Sequence, residues 1–542
     1  MDAALHHLMI LPVILPLAIG GFLLFIDERN RKFKSTVSLA TAAIIVVVSF
    51  SLVVRAIEIA PAAAVYQLGN WKAPFGIVLV LDRLSALMLV LSSVLTVASL
   101  LFAQANWHNT GQNFHSQMQF ILAGVSGAFL TGDLFNLFVF FEVLLTASYA
   151  LALHSPTPLS VRAGLHYVVV NLVASSLFLL GAALIYGVTG ALNMAHIAEG
   201  LKTLAPHDVV MFEIGAGFLG LAFLTKAAAW PLNFWLTPLY SVVPAPIGAI
   251  FAILSKVGIY VILRFTLLIF SLPNNPLYLY GQKMIFYGGL ATLIFGFLGV
   301  LASQALGRLV SYCVIISSGT LLAAIGSGDA SLTAGALYYL ITSSLALSAF
   351  FLLVELVERS QDTAANVLAV TVEAYGDEDD DEQSEVGTFL PATVAILGAC
   401  FALCAILLIG MPPFSGFIGK FMLINGLLNP MSLTGPLASH VQPNFGDWAF
   451  IILLVLSGLA TLVALARTGI RTFWASIEGK VPQVRLIEFA PIAGLLVLCL
   501  ALTVFAGPVT RYLAQTSQEL HYSENYIGSV LGKENVSGAT LP

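Results

Sequence analysis

The feature that most constrains this chain is a series of apolar runs, each about 20 residues long, that recurs along the sequence. A run of this length crosses the hydrocarbon core of a bilayer when it is coiled as an α-helix, which satisfies its own backbone hydrogen bonds. The runs are continuous, whereas the strands of a membrane barrel alternate between apolar and polar residues. We therefore predict an all-α polytopic membrane protein.

The amino-acid composition supports this prediction. The chain has 542 residues, of which 59% are hydrophobic and only 9% are charged, whereas roughly a quarter of the residues of a soluble domain are charged. The first run lacks a basic leader and a small-residue cleavage site, so we expect a retained helix and not a signal peptide. We count about 14 transmembrane helices, near residues 6–26, 36–56, 81–103, 114–131, 133–153, 160–187, 211–229, 240–270, 282–302, 308–327, 331–356, 388–410, 447–469 and 488–508.

Two of the apolar runs are interrupted by prolines, which lack a backbone N–H group and break membrane helices. Pro231 and Pro238 interrupt the seventh run, and Pro412 and Pro413 interrupt the twelfth. Each break lies beside a lysine, Lys226 or Lys420. One broken, lysine-bearing helix in each half of a chain is the pattern that an inverted repeat leaves. We therefore predict two inverted repeats, each with a broken helix whose open backbone groups bind water or an ion.

The domain organisation follows from these repeats. The segment 66–82 is too short to span, and its aromatic and turn residues suggest a small surface hairpin. The acidic run 373–385 is typical of a solvated insert, which we expect on the cytoplasmic side. The predicted regions are N-terminal helices with the hairpin (1–110), a first repeat (111–270), a second repeat with the acidic insert (271–470), and a C-terminal helix and tail (471–542).

Four ionisable residues lie in or beside the apolar runs, where a charge costs at least about 2.5 kcal/mol. Glu142 and Lys256 lie near the middle of their spans, whereas Lys226 and Lys420 lie beside the proline breaks. A buried lysine close to a buried glutamate forms a pair whose charge changes when a proton arrives or leaves. We therefore predict a proton relay through these groups, with water reaching Lys226 through the break at Pro231.

Each of these residues also has a structural interpretation. In this interpretation, Glu142 and Lys256 are ion-pair partners without a transport role. Lys226 and Lys420 are side chains that extend to the membrane interface. His166 titrates near neutral pH, so it is a further candidate for the relay. A packed, neutral core histidine is the favoured interpretation of His166.

Three other features have structural interpretations. Asp133 precedes the Glu142 span and is favoured as an N-cap over a proton-carrying group. Gly215, Gly217 and Gly220 fit the pattern G-x-G-x-x-G, but they lie in a predicted membrane helix, so we interpret them as close-packing positions. The four cysteines lie in apolar spans without the spacing of a metal site, so we expect core residues. We predict no cofactor and leave a metal site unassigned.

The distribution of lysine and arginine predicts the orientation in the membrane. Cytoplasmic loops carry an excess of these residues. The two densest basic clusters, 29–34 and 467–485, fall on the inside when both termini lie outside. We therefore predict a multi-pass protein of the cell (bacterial inner) membrane with both termini on the outer face.

The residues around the two breaks resemble a known family. The segment "LTKAAAWPLNFWLTPLYSVVPAPIGAIFAILSKVGIYVILR" (224–264) resembles the antiporter-like subunits of respiratory complex I and of the Mrp-type (Pha-type) multisubunit sodium/proton antiporters. The segment "GDLFNLFVFFEVLLTASYAL" (132–151) is similar to their glutamate-bearing helix, and "LLIGMPPFSGFIGKF" (407–421) to their second broken helix. The resemblance covers nearly the whole chain. Residues 464–474 and 512–531 resemble the D-type subunits of the Mrp/Pha antiporters.

The resemblance implies a role for each buried charge. Glu142 and Lys226 would be the charge pair of the first half-channel, and Lys256 would be the central relay. Lys420 would be the exit-side group of the second half. His166 lies where many relatives have a lysine. The implied structural breaks are at Pro231, Pro244, Pro246, Pro412 and Pro413.

The chain departs from the family's pattern in its second half. Ser317 lies where relatives have a histidine, and Ser343 and Leu347 lie where they have a histidine and a lysine. A proton path through this half would depend on serine, tyrosine and water, or the half is used differently.

The resemblance implies a membrane subunit of a multisubunit monovalent cation/proton antiporter, driven by the proton gradient and without enzyme chemistry or a cofactor. The expected partners are the other subunits, protons, Na+ or K+, and membrane lipid, and not nucleic acid. Two alternatives stay open. One is a proton-pumping membrane subunit of a complex I-like NADH:quinone oxidoreductase, and the other is a scaffold subunit that does not transport.

Overall fold

The structure of the chain is a computed structural model. It describes residues 7–71, 73, 76–107, 111–271, 276–374, 392–429, 443–473 and 484–532, with the backbone alone over 360–374. The acidic insert predicted at 373–385 lies outside the described residues, except for the backbone of its first two positions.

The described residues form 19 α-helices and one antiparallel two-stranded hairpin. Their bounds are α1 Leu11–Leu24, α2 Arg31–Ile59, β1 Ala64–Gln67, β2 Val78–Leu81, α3 Arg83–Ala103, α4 Phe114–Leu130, α5 Leu134–Ala152, α6 Pro158–Thr189, α7 Met194–Gly200, α8 Pro206–Lys226, α9 Leu236–Tyr240, α10 Ala245–Ile269, α11 Gln282–Ala302, α12 Leu306–Ser327, α13 Ala330–Ala374, α14 Ala392–Ile409, α15 Ser415–Leu428, α16 Phe445–Phe473, α17 Leu486–Val504, α18 Ala506–His521 and α19 Glu524–Leu531.

The prediction of an all-α, multi-pass membrane protein is confirmed. In the described part of the chain, 12 helices are long and apolar enough to cross a membrane, judged by length and composition. The two other predicted spans, 6–26 and 114–131, form the shorter helices α1 and α4, of 14 and 17 residues. The count of about 14 spans is therefore reached only if these shorter helices are included.

Helix α10, which carries Lys256, lies at the centre of the bundle. All of its residues except Thr266 are buried, and it packs against α3, α8, α12 and α13. A helix that is apolar on all sides is stable only when it is surrounded by other elements. The surrounding helices, such as α2, α6, α8, α11 and α16, expose apolar side chains on their outer faces, as lipid contact requires. Lys256 is thus enclosed by protein.

Close helix packing depends on glycine at a few positions. A Cβ atom on Gly289 of α11 would lie 2.3 Å from the Ala323 nitrogen of α12, so the two backbones approach as only glycine allows. The predicted close-packing role is confirmed for Gly215, where a Cβ atom would lie 3.1 Å from the Gly181 carbonyl oxygen. It is wrong for Gly220, because no neighbouring element in the described part of the chain places an atom within 4 Å of the corresponding position.

The hairpin predicted within 66–82 is present as β1 and β2. Ala64 lies opposite Leu81, and Gln67 lies opposite Val78. The hairpin is not wholly at the surface, because all four residues of β2 are buried. The strand leads directly into Asp82, the N-cap of α3.

Candidate functional site: a row of buried lysines

The first break lies between α8 and α9, and its lysine is the last residue of α8. Helix α8 ends at Lys226, and residues 227–235 turn before α9 begins. The Trp235 indole closes part of this turn by donating a 3.1 Å hydrogen bond to the Thr225 carbonyl, which also accepts a 3.1 Å hydrogen bond from the Ala228 amide. The helix is therefore broken next to Pro231, as predicted.

The Lys226 ammonium group is buried and has no hydrogen-bond partner among the described residues. Its Nζ atom lies 4.7 Å from the centroid of the Phe141 ring, within cation–π distance. The next residue, Glu142, is half-buried, and its Oε1 atom accepts a 2.5 Å hydrogen bond from the Ser175 hydroxyl. The Glu142 charge acts on Lys226 through space, without a direct hydrogen bond. The structure thus brings the predicted pair together but leaves the lysine free to bind a third group.

Lys256 is fully buried, and its Nζ atom donates a 2.7 Å hydrogen bond to the Ser317 hydroxyl of α12. The Ser317 hydroxyl lies 3.0 Å from the Ser343 hydroxyl of α13. A hydroxyl group both donates and accepts, so a proton can pass along these three groups. Both serines, which mark departures from the family's pattern, therefore lie in the immediate surroundings of the central lysine.

Gly258 brings α10 into contact with the first break. A Cβ atom at this position would lie 2.9 Å from the Ala227 nitrogen and 3.2 Å from the Lys226 carbonyl carbon. Because Gly258 is only two residues after Lys256, this contact places the end of α8 alongside the turn of α10 that carries the central lysine.

The second break lies between α14 and α15, as Pro412 and Pro413 predict. The Lys420 side chain of α15 is buried, and its Nζ atom donates a 2.8 Å hydrogen bond to the carbonyl of Ile409, the last residue of α14. Carbonyl groups at a helix C-terminus lack intrahelical partners and carry partial negative charge, so they stabilise a cation. Gly410 follows with a φ of +78°, and a Cβ atom there would lie 2.7 Å from Lys420 Cδ.

Helix α12 connects the surroundings of Lys256 with those of Lys420. Cys313 lies one helical turn before Ser317, so the two side chains share one face of α12. Cys313 is buried and lies close enough to Lys420 for the lysine charge to act on its thiol. One face of α12 therefore carries both Ser317, which binds Lys256, and Cys313, which lies near Lys420.

A charged cluster at the C-terminal end of α10 was missed by the sequence analysis. The Nη1 and Nη2 atoms of the buried Arg264 donate to the two carboxylate oxygens of Asp82 at 2.5 and 2.8 Å. Nη2 also donates to the Tyr260 hydroxyl at 3.1 Å. The sequence does contain one indication of this cluster. Lys256, Tyr260 and Arg264 are four residues apart, so they lie along one side of α10.

Another charged cluster lies at the N-terminal end of α10. Arg359 of α13 pairs with Glu355 at 2.6 Å and with the buried Glu488 of α17 at 2.7 Å. Glu355 also accepts a 3.2 Å hydrogen bond from the backbone amide of Ala245, the first residue of α10. Ion pairs therefore hold both ends of the helix that carries Lys256.

Four further predicted positions can be compared with the structure. His166 lies on the exposed face of α6, where its ring stacks on Phe234 at 5.2 Å between centroids, so it is not the core histidine that we expected. Pro244 and Pro246 begin α10 and do not break a helix, because a proline in the first turn costs no hydrogen bond. Asp133 is the N-cap of α5, as predicted, and accepts a 2.9 Å hydrogen bond from a first-turn amide.

The cysteines agree with their structural interpretation. All four are free, and Cys313, Cys404 and Cys499 are buried, whereas Cys400 is half-buried. Within the described ranges, no group of three or more His, Cys, Asp or Glu side chains could hold a metal ion.

Comparison with known proteins decides the family. Residues 131–446 match the family described as "NADH:quinone oxidoreductase/Mrp antiporter, TM". The chain belongs to this family. The matched region contains Glu142, the three buried lysines and both helix breaks.

Other members of this antiporter family match nearly the whole chain. The D-type subunit of a probable K(+)/H(+) antiporter of Rhizobium meliloti is 52% identical and covers 95% of this chain and 96% of its own length. The D-type subunit of the Na(+)/H(+) antiporter of Alkalihalophilus pseudofirmus is 34% identical and covers 97% of this chain and 100% of its own. A chain in the "Structure of Mrp complex from Dietzia sp. DQ12-45-1b" has the same fold, with a TM-score of 0.80 at 24% identity over 97% of this chain and 99% of that one.

Proposed function

We propose that this chain is the D-type membrane subunit of a multisubunit monovalent cation/proton antiporter and that it conducts the protons. The observation that carries the proposal is the row of buried lysines, Lys226, Lys256 and Lys420, each held beside a helix break or a hydroxyl group. The relatives described as D-type subunits of K(+)/H(+) and Na(+)/H(+) antiporters support it, because they match nearly the whole chain.

The proposed relay begins with Glu142 and Lys226. A proton on Lys226 stabilises the ionised form of Glu142 and disfavours a second positive charge at Lys256, because like charges repel more strongly in a low-dielectric interior. The Lys226 ammonium group has no hydrogen-bond partner among the described residues, so a water molecule in the break can bind it and carry its proton onward.

The second part of the relay uses hydroxyl groups where relatives carry titratable side chains. Lys256 donates to Ser317, and Ser317 contacts Ser343, so the proton leaves the central lysine through a serine pair. Along α12 the path leads past Cys313 to Lys420. Lys420 would release the proton beside the open end of α14, where the Ile409 carbonyl holds its charged form.

The arrangement of the breaks supports two repeats, which we place at 111–270 and 271–470, flanked by the N-terminal region 1–110 and the C-terminal region 471–542. The basic clusters of the sequence support an orientation with both termini outside. In this orientation the Arg359 cluster lies at the cytoplasmic end of α10, and the Arg264 cluster lies at the outer end. His166 has no place in this relay, because its ring lies on the exposed face of α6.

The function is tested with everted membrane vesicles from a host that lacks its own antiporters. The vesicles carry either the complete set of subunits or the set without this chain, and a pH-sensitive dye reports the proton gradient. We expect added Na+ or K+ to dissipate the gradient only when this chain is present. No cation response, together with NADH-linked pumping that depends on the chain, would instead identify the complex I-like alternative.

The scaffold alternative is separated by a single substitution. Glu142→Gln keeps the size of the side chain and removes its charge. A scaffold subunit would assemble and support transport unchanged with this substitution, whereas a proton-conducting subunit would assemble and lose transport.

A further inference from the structure

The charged cluster at the outer end of α10 includes a further carboxyl group, that of Glu519, and a small internal cavity. Helix α18, which lies outside the 12 candidate spans, places Glu519 beside the Arg264–Asp82 ion pair. The Oε1 atom of Glu519 lies 3.3 Å from Arg83 Nε. A small cavity lined by Glu519, Asp82 and Arg264 has room for about one water molecule. The cluster thus joins the C-terminal region to the helix that carries Lys256.

Glu519 connects this cluster to water. Its side chain is 21% exposed, whereas the side chain of Arg264 is only 9% exposed. Ser523 lines the same cavity, and its buried hydroxyl has no hydrogen-bond partner among the described residues, so it is available to hold a water molecule. A carboxyl group that faces both bulk water and an internal polar cavity is suited to take up a proton on one side and release it on the other.

The electrostatics of Glu519 favour proton exchange near neutral pH. Burial raises the pKa of Glu519 to about 7, the negative charge of Asp82 adds to the rise, and the positive charge of Arg83 opposes it. The charged and titratable groups that face Glu519 from the packed elements are Arg83, Asp82, Arg264, Tyr512 and Tyr526.

A polar side of α10 leads from this cavity toward the central lysine. Tyr260 lies one helical turn from Lys256, and Arg264 lies one turn further, so the three residues span about 12 Å along the helix axis. The Tyr260 hydroxyl accepts a hydrogen bond from Arg264 and donates one of 2.6 Å to the Phe129 carbonyl. The Arg264 charge is balanced by the two oxygens of Asp82, so the arginine does not present an uncompensated positive barrier.

We propose that Glu519 is the proton-exchanging group at the outer mouth of this chain, and that protons pass between it and Lys256 along the Tyr260–Arg264 side of α10. The proposal rests on the proposed function, because it takes Lys256 as a relay group. The chemistry is a reversible proton transfer: external water protonates the carboxylate, and the carboxylic acid returns the proton to water in the cavity. No bond other than O–H forms or breaks.

The test uses the complete complex in vesicles and measures initial antiport rates from pH 6 to pH 9. We expect Glu519→Gln to lower the rate at pH 7 by about tenfold or more, since a positioned proton-transfer group typically contributes at least that much. Glu519→Asp keeps a carboxyl group and should retain part of the rate with a shifted pH profile. The matched control is Glu524→Gln, because Glu524 is an exposed glutamate a few residues further along and should behave as wild type.

The outcomes separate this proposal from the proposed function. A Glu519→Gln complex that transports as wild type, while Lys256→Ala is inactive, would overturn the role of Glu519 and leave the antiporter assignment standing. Wild-type transport by both variants would overturn the relay itself. If Glu519→Gln fails to assemble, Glu519→Asp decides, because a pH profile identical to that of wild type would also overturn the proposal.

Discussion

Replacing Gly258 with alanine tests whether the contact between α8 and α10 sets the geometry of the lysine row. The added Cβ atom would lie 2.9 Å from the Ala227 nitrogen and 3.1 Å from the Phe223 oxygen. Non-bonded heavy atoms prefer separations of about 3.5 Å or more, so the two helices must move apart by about 0.5 Å. The contacted atoms belong to the backbone, so no side-chain rotation can relieve the clash.

The expected effect follows from this displacement. Overpacking of a well-packed core costs about 1–3 kcal/mol, and a 1 Å misplacement of reacting groups lowers a rate by about 100-fold. A shift of half that size between Lys226 and Lys256 should therefore lower the antiport rate by about tenfold. The assay is the cation-dependent loss of the pH gradient in everted vesicles, scaled by the amount of assembled complex.

Gly220→Ala is the matched control, because Gly220 lies in α8 and a Cβ atom there would meet no other element within 4 Å among the residues that the structure describes. We expect this variant to transport as wild type. The reasoning would be refuted by a Gly258→Ala complex that assembles normally and transports at the wild-type rate.

Three further predictions concern the hydrogen bonds and charges around the site. Ser317→Ala removes the acceptor of the fully buried Lys256 and should lower the stability of the purified complex by about 1–3 kcal/mol, measured by thermal inactivation. Gly410→Ala forces a side chain into positive φ and against Lys420, so it should destabilise the second break by about 1–3 kcal/mol in the same measurement. Glu519 has a pKa of about 7 in the folded protein against an ordinary value of 4.5, so the folded state binds more protons than the unfolded state between these pH values. The stability should therefore fall as the pH rises from 4.5 to 7. Glu519→Gln should lack this slope in pH-dependent thermal unfolding.

Each of these predictions has a contrary result. Ser317→Thr keeps the hydroxyl group, so equal losses in Ser317→Ala and Ser317→Thr would show that shape and not the hydrogen bond matters. A Gly410→Ala complex as stable as wild type would remove the argument for a close contact with Lys420. An unchanged pH slope in Glu519→Gln would assign the titration to another group.

The elements that define the fold follow directly from local sequence patterns. Long apolar runs specify the membrane helices, because each run must satisfy its backbone hydrogen bonds within itself. The break at Pro412 and Pro413 and the cap at Asp133 are also local, since each depends on the backbone chemistry of adjacent residues. Such features were predicted correctly from the chain alone.

The features that the sequence left open depend on contacts between distant segments. The Lys256–Ser317 hydrogen bond joins residues 61 positions apart, and the Arg264–Asp82 pair joins residues 182 positions apart. The exposed position of His166 was missed because α6 is apolar around most of its circumference, so the pattern does not indicate which face points inward.

Lys256, the buried lysine of α10, is the group on which the proposed proton path depends. The most direct test compares cation-dependent dissipation of the pH gradient in vesicles with wild type, Lys256→Ala, and Lys283→Ala, a control at an exposed lysine of α11. We expect Lys256→Ala to assemble and lose antiport, and Lys283→Ala to keep the wild-type rate. Full antiport by an assembled Lys256→Ala complex would show that the buried charge has a structural role only.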